Sequence, residues 1–273
     1  MPLLSQHYRT AFVTGASTGL GRAFAEMLLA EGVRVWGTAR DTARLAPLAA
    51  NPAFSAVVLD LEKPEDAALA FDTAARTAGG FDLVVNNAGF GVFAPFASAD
   101  FSVWQKQIDA MLGTTARLSH AALRGMLTAK RGCLVNVASL ATDFPLPFMS
   151  GYNIAKAGLS ALSESLMHET RGTGVIVIDF RPGDFRTGFN QAMSPASQPS
   201  PDPRLATAWA VLEKNLNQSP APSLAAAGLR RAFLRRRSGT VRCGSFFQAQ
   251  LAPFFVRFIP ETIRRWMTSV YFS

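Results

Sequence analysis

The sequence is poor in cysteine, histidine and tyrosine. Among 273 residues there are two Cys, three His and three Tyr. Cys133 and Cys243 are too few for a disulfide framework and suit a reducing compartment or plain core packing. His7, His120 and His168 lie far apart and no pair of CxxC motifs occurs, so no metal site is expected. No apolar run reaches the roughly 18 residues of a membrane span. The candidate 243–256 is uncharged but contains polar residues and Pro253. The first nine residues are short and polar, unlike a secretory signal. These absences together lead us to expect a cytoplasmic protein.

What is present favours a large core. Hydrophobic residues make up 49% and charged residues 17%, which excludes a disordered chain. The net charge of +8 is uneven. Residues 229–273 hold nine Arg against the single acid Glu261, whereas 1–228 are neutral. The surplus therefore belongs to one segment, and with no recognised binding motif beside it a nucleic-acid partner is not expected.

Short apolar runs alternate with helical patterns through the first 190 residues, and no solenoid-like repeat occurs. Strands are expected at 10–14, 34–38, 55–59, 83–86, 133–137 and 175–180, and a last one near 240–243. Helices are expected at 20–31, 64–78, 101–128 and 151–171. This order predicts an α/β fold: a doubly wound parallel sheet with helices on both faces. The near-continuous apolar strands agree with burial on both faces. The Ser/Pro-rich stretch 194–203 opens a long loop holding a helix at 205–217, the sort of insertion that often covers a site. We expect one domain, 1–273, with a core at 8–190 plus 240–246, a lid loop at 190–228 and a basic, aromatic segment at 229–273.

Thr14-Gly15-Ala16-Ser17-Thr18-Gly19-Leu20-Gly21 lies between the first strand and the first helix. Glycines permit a tight turn and close approach of backbone to a pyrophosphate, and the helix N-terminus offers unpaired N–H groups to it. Asn86-Asn87-Ala88-Gly89 follows the fourth strand. Ser139 follows the fifth. Tyr152-Asn153-Ile154-Ala155-Lys156 comes thirteen residues later, and Pro182-Gly183 with Thr187 follows the sixth. In order and spacing these motifs resemble those of the short-chain dehydrogenase/reductase family over about residues 8 to 190.

The resemblance implies nicotinamide dinucleotide binding by Thr14, Gly15, Ser17, Thr18, Gly19, Leu20 and Gly21, with Asp60 and Leu61 near the adenine. It extends the cofactor site to Asn87, Ala88, Gly89, Tyr152, Lys156, Pro182, Gly183, Phe185 and Thr187. Ala39 stands where NAD-preferring members usually carry Asp, and Arg40 follows, placed to pair with a 2′-phosphate. NADP(H) is therefore favoured, with NAD(H) left open.

Tyr152 and Lys156 are four apart, on one face of a helix. A nearby ammonium favours a phenolate, so Tyr152 is expected to have a lowered pKa and to act as acid or base for a carbonyl/alcohol pair. Lys156 tunes it and, by the resemblance, holds the nicotinamide ribose. Ser139 holds the substrate oxygen. The catalytic set is thus Ser139, Tyr152 and Lys156. One departure stands out: a gap-free count from Trp104, or back from Arg117, puts Met111 where the family usually has an Asn that extends the proton relay.

The expected substrate side is apolar: Phe90, Val92, Phe93, Phe144, Leu146, Phe148, Phe185 and Phe189. A small hydrophobic ketone or aldehyde and its alcohol fit it. The segment 229–273 carries nine aromatics as well as its Arg residues. Peripheral membrane contact, a subunit interface and a cover over the cleft are its three readings. The resemblance implies a homodimer or homotetramer formed through the helices at 101–128 and 151–171. The rivals to the enzyme reading are a catalytically weak NADP(H)-binding sensor and a membrane-surface scaffold.

Overall fold

The computed structural model describes residues 3–189, 193–195, 202–245 and 262. The strands are β1 (Thr10–Val13), β2 (Arg34–Ala39), β3 (Phe54–Val58), β4 (Leu83–Asn86), β5 (Val92–Phe93), β6 (Gly132–Val137), β7 (Val175–Pro182), β8 (Ser194–Pro195) and β9 (Gly239–Cys243). The α-helices are α1 (Gly19–Ala30), α2 (Ala46–Ala49), α3 (Pro64–Ala78), α4 (Phe101–Ile108), α5 (Thr115–Ala129), α6 (Ser150–Glu169), α7 (Pro203–Gln218) and α8 (Pro222–Arg235). Seven strands form one parallel sheet in the order β3-β2-β1-β4-β6-β7-β9. β5 and β8 make a separate two-stranded piece.

The sheet is buried on both faces because its strands alternate between two apolar clusters. Val13, Val85, Val135 and Phe180 point to the face covered by α1 and α8. Phe12, Val84, Leu134 and Val177 point to the face covered by α3, α5 and α6. On the second face the Phe12 ring meets Phe71 at 5.0 Å and Phe81 at 5.2 Å. Helix α3 runs as its sequence directs: Pro64 opens it, Glu65 and Asp66 sit in its first turn, and Gly79 closes it at φ 74°.

Two expectations change. The single helix at 101–128 is broken by a π-helical segment, Asp109–Thr114, between α4 and α5. The boundary at 228/229 falls inside α8, whose Leu229, Ala232 and Phe233 are fully or almost fully buried against the core. Its arginines are therefore half of an amphipathic helix. Pro222 is that helix's opening residue. Residues 246–261 and 263–273, with most of the aromatic segment, lie outside the described residues, as do Asn190–Ala192 of the expected lid loop. Among the described residues no helix is long and apolar enough to cross a membrane.

All seven strands run the same way, so their C-terminal ends share one edge. The order turns back between β1 and β4, which opens a crevice at that edge. Thr14, Arg40, Asn87, Ser139 and Gly183 all follow directly on strand ends or lie within two residues of them.

Candidate active site

The glycine turn is held by backbone groups bonded to the short polar side chains of Thr14, Thr38 and Asn87. Thr14 Oγ1 accepts from the Asn87 and Ala88 N–H groups at 2.8 and 2.9 Å, and Asn87 Nδ2 donates to the Thr14 carbonyl at 3.0 Å. The Asn87-Ala88 turn is thereby tied to the glycine turn. Gly15 N–H donates to Thr38 Oγ1 at 3.2 Å and Ala16 N–H to the Thr38 carbonyl at 2.8 Å, which brings the end of β2 alongside. Gly19 has φ 56°, and a Cβ on Gly21 would collide with the Gly15 carbonyl. Thr187 lies against Gly19. Thr18 caps α1 with no side-chain hydrogen bond, and no acid stands in the first turn. An unneutralised helix N-terminus over a glycine turn fits the pyrophosphate of a dinucleotide.

At the end of β2, Ala39 is buried and Arg40 is exposed. Asp41 does not neutralise Arg40: its carboxylate accepts from Ala43 N–H at 2.9 Å and starts the next turn. Asp60 accepts from Glu62 N–H at 3.1 Å. The Leu61 carbonyl accepts from Thr114 Oγ1 at 2.7 Å, which anchors the π-helical segment beneath this end of the cleft. Gly183 N–H donates to the Cys243 carbonyl at 2.7 Å. The Phe185 side chain differs from expectation. It is buried in the core cluster with α1 and α8, away from the substrate side.

Ser139, Tyr152 and Lys156 converge. Ser139 Oγ accepts from Ala141 N–H at 3.0 Å and caps a short turn, which holds its hydroxyl toward Tyr152. Lys156 is buried, and its Nζ lies 5.7 Å from the centre of the Tyr152 ring. That ammonium donates to the Val137 carbonyl at 2.6 Å. The expected drop in the Tyr152 pKa is reversed. Burial pushes the phenol up to about 12, with Asp184 adding to the rise and Ser139 opposing it. Burial pulls Lys156 down to about 8, against the pull of Asp179. In the protein alone, desolvation outweighs the mutual attraction of the pair.

Several contributors were not foreseen. Asp179, fully buried on β7, accepts from Ser160 at 3.0 and 3.1 Å and from Arg181 Nε at 2.7 Å. Arg181 also pairs with Asp143 at 2.9 Å, and Arg242 joins the same Asp143 at 2.9 Å. This network fixes the loop after Ser139. An acid and an arginine two apart on a strand, Asp179 and Arg181, were the available signal, since such residues share a face. Asn153, next to Tyr152, clasps Leu146 through two hydrogen bonds of 3.1 and 2.8 Å. The Met111 methyl and the Lys156 Nζ both lie beside Gly89, at 3.0 and 3.7 Å from where a Cβ would sit.

Some of the residues expected on the substrate side form an aromatic cluster beside Tyr152. Phe93 meets Phe148 at 5.6 Å and Trp209 of α7 at 5.1 Å, and Tyr152 meets Phe189 at 5.7 Å. Leu146, Met149, Met193 and Leu212 complete the cluster. Helix α7 packs against this cluster through Trp209 and Leu212. Phe148 has φ 61°, a conformation that costs a bulky residue about 1–3 kcal/mol, and its carbonyl accepts from Ala94 N–H at 2.9 Å. Phe90 and Val92 pack elsewhere, near Trp104, and Phe144 is not part of this cluster.

Comparison with known proteins shows the family and agrees with the fold. The short chain dehydrogenase family matches residues 9–198. An uncharacterized oxidoreductase of Myxococcus xanthus is 40% identical over 184 residues, covering 64% of this chain and 72% of its own. The crystal structure of a short-chain dehydrogenase from Streptomyces avermitilis is 29% identical with a TM-score of 0.81, over 97% of this chain and 96% of its own. A metagenomic short-chain oxidoreductase in complex with NADP is 28% identical with a TM-score of 0.67, over 86% of this chain and 96% of its own.

Proposed function

We propose, from the premise that the chain belongs to the short-chain dehydrogenase family and is an oxidoreductase of nicotinamide-cofactor type, that it interconverts a hydrophobic ketone or aldehyde and its alcohol with NADP(H). The observation that carries this reading is the meeting of Ser139, Tyr152 and buried Lys156 beneath an aromatic cluster. In the direction of reduction, Ser139 holds the substrate oxygen and Tyr152 gives it a proton. A phenol held near 12 is fully protonated at neutral pH, so Tyr152 is loaded as the donor. Lys156 carries positive charge below about pH 8 and stabilises the phenolate that remains. When bound, the nicotinamide supplies the hydride. The residues after β1, β4 and β7 would hold that cofactor in the crevice.

Arg40 supports NADP(H). It is an exposed cation with no acid at position 39, and Asp41 is engaged elsewhere. The substrate class rests on Phe93, Phe148, Phe189 and Trp209, which offer ring faces and no charge. We also read the chain as one domain that assembles through α4, α5 and α6, and works in the cytoplasm. Peripheral membrane contact through 246–273 stays a proposal from composition.

The test is NADPH and NADH consumption against apolar ketones and aldehydes, with Tyr152→Phe as the blank. Turnover should fall by roughly 10²- to 10⁴-fold in the variant. An unchanged rate would end the catalytic assignment. Met111 favours a second reading, an NADP(H)-binding sensor: a thioether beside Lys156 carries no proton. NADPH binding without turnover across the panel would support it.

A further inference from the structure

Helix α4 and the π-helical segment after it direct three large side chains inward at i, i+3 and i+7: Trp104, Gln107 and Met111. Trp104 donates to the Phe96 carbonyl at 3.1 Å, and Met111 abuts Gly89 beside Lys156. Between them Gln107 is fully buried. Its Nε2 donates to the Phe90 carbonyl at 2.9 Å. Its Oε1 has no hydrogen-bond partner. A Cβ on Gly151 would overlap that oxygen, so the amide fills the space a side chain at 151 would take. Glutamine here bridges two segments: the chain just past Asn87-Ala88-Gly89, and the first turn of α6 one residue before Tyr152.

An apolar residue of similar size would fill this site and remove the orphaned Oε1, at the loss of the donor to the Phe90 carbonyl. Packing alone therefore does not call for glutamine. What the amide adds is a grip on residue 90. Gly89 and Gly91 flank Phe90, and glycine leaves a backbone free to move unless something ties it. Gly89 in turn sits against Met111 and the Lys156 ammonium. A drift of the Phe90 carbonyl would carry Gly89 away from Lys156.

We propose that Gln107 is a positioning residue: it fixes the Asn87–Gly89 turn against the start of α6, and so sets the spacing between the cofactor side of the cleft and the Tyr152–Lys156 pair. This rests on the catalytic reading above. Misplacement of reacting groups by about 1 Å can cost about 100-fold.

The experiment compares the full-length protein with Gln107→Leu and Gln107→Glu. Three quantities are read: the melting temperature, the NADPH dissociation constant by cofactor fluorescence, and kcat and KM on the best carbonyl of the panel. For Gln107→Leu the melting temperature should change little, since removal of the orphaned Oε1 offsets the donor lost to the Phe90 carbonyl, while kcat falls roughly 10- to 100-fold and NADPH binds more weakly. Stability and activity then move apart, which a filler role does not produce. Gln107→Glu can still donate to the Phe90 carbonyl when protonated, so it should regain activity toward low pH and lose it as the carboxyl ionises. A leucine variant with kcat and NADPH affinity within twofold of the parent would overturn the proposal. So would one whose activity falls only in step with its melting temperature. If the parent turns over no carbonyl, the enzyme reading fails first. NADPH affinity then still decides the role of Gln107, since unchanged affinity in the leucine variant sinks it.

Discussion

The two walls of the cleft are made in different ways. On the cofactor wall, Thr14, Gly15, Ala16, Asn87 and Ala88 interlock through backbone groups bonded to the short side chains of Thr14, Thr38 and Asn87. On the substrate wall, Phe93, Phe148, Phe189 and Trp209 meet through ring contacts on loops and on α7. A backbone lattice tolerates few residue types, because glycine conformations and close approaches admit nothing else. Ring packing tolerates many, since apolar swaps of similar volume usually cost under about 1.5 kcal/mol. The first wall can be shared by a whole family, while the second can change with the substrate.

The hardest test of that contrast is Gly21→Ala. The added methyl meets the Gly15 carbonyl and Asn87 Nδ2, so the turn must open. NADPH binding should fall by at least about 100-fold, with a destabilisation of order 1–3 kcal/mol from overpacking. Cofactor fluorescence and calorimetry read both. Normal binding would mean that the lattice is softer than its hydrogen bonds imply.

Lys156 lies where the walls meet, and the role proposed for it opposes stability. Its folded pKa, about 8, is below the unfolded value of 10.5. Between those values the unfolded chain binds more protons, so stability should rise with pH through that window and be lowest below about pH 8. Lys156→Met removes a buried charge whose shift corresponds to roughly 3 kcal/mol, less what is lost when the Val137 carbonyl gives up its donor. We expect a higher melting temperature at pH 7, a flatter stability profile from pH 8 to 10, and almost no turnover. In the parent, kcat/KM for reduction should decline above about pH 8 as the ammonium is lost. A flat profile there would show that Lys156 is charged throughout.

Trp209→Ala addresses the substrate wall alone. It removes the ring against Phe93 without touching the glycine turn. KM for the carbonyl should rise roughly 10-fold, given about 1–3 kcal/mol for such a contact, with NADPH affinity unchanged. A parallel loss of NADPH binding would mean that α7 also braces the cofactor wall.

How much of each wall could be read beforehand follows from the same contrast. Thr14 to Gly21, Asn87 to Gly89, Ser139, Tyr152 and Lys156 were legible because glycine, paired amides and a four-residue spacing report backbone geometry directly. The helix α3 was legible to its ends, since Pro64 and Gly79 mark both. The break at Asp109–Thr114 was not, because one π turn shifts the apolar period too little to notice and Gly113 alone does not announce it. Helix α8 was hidden by its charge: Arg230, Arg231 and Arg235 look like a tail until Leu229 and Phe233 are seen buried beneath them. Phe185 and Phe189 are four apart, yet one faces the core and the other faces Tyr152. A turn segment has no period from which to predict that. The direction of the Tyr152 shift depends on how dry the site is, which spacing does not encode.

The smallest effect belongs to Arg40, and it sharpens the contrast because this residue stands on the cofactor wall but outside the lattice. Its side chain is exposed, and among the described residues it makes no ion pair. Exposed charges are screened, so a contact with a 2′-phosphate is worth about 1 kcal/mol at most in moderate salt. Arg40→Ala should weaken NADPH by roughly 3- to 10-fold at low ionic strength and leave NADH untouched. The difference should shrink as salt is raised. Equal losses for both cofactors would place Arg40 in the scaffold and remove the electrostatic argument for NADP(H). A loss confined to NADPH would show that cofactor choice on this wall is set by a side chain added to a backbone site that does not discriminate.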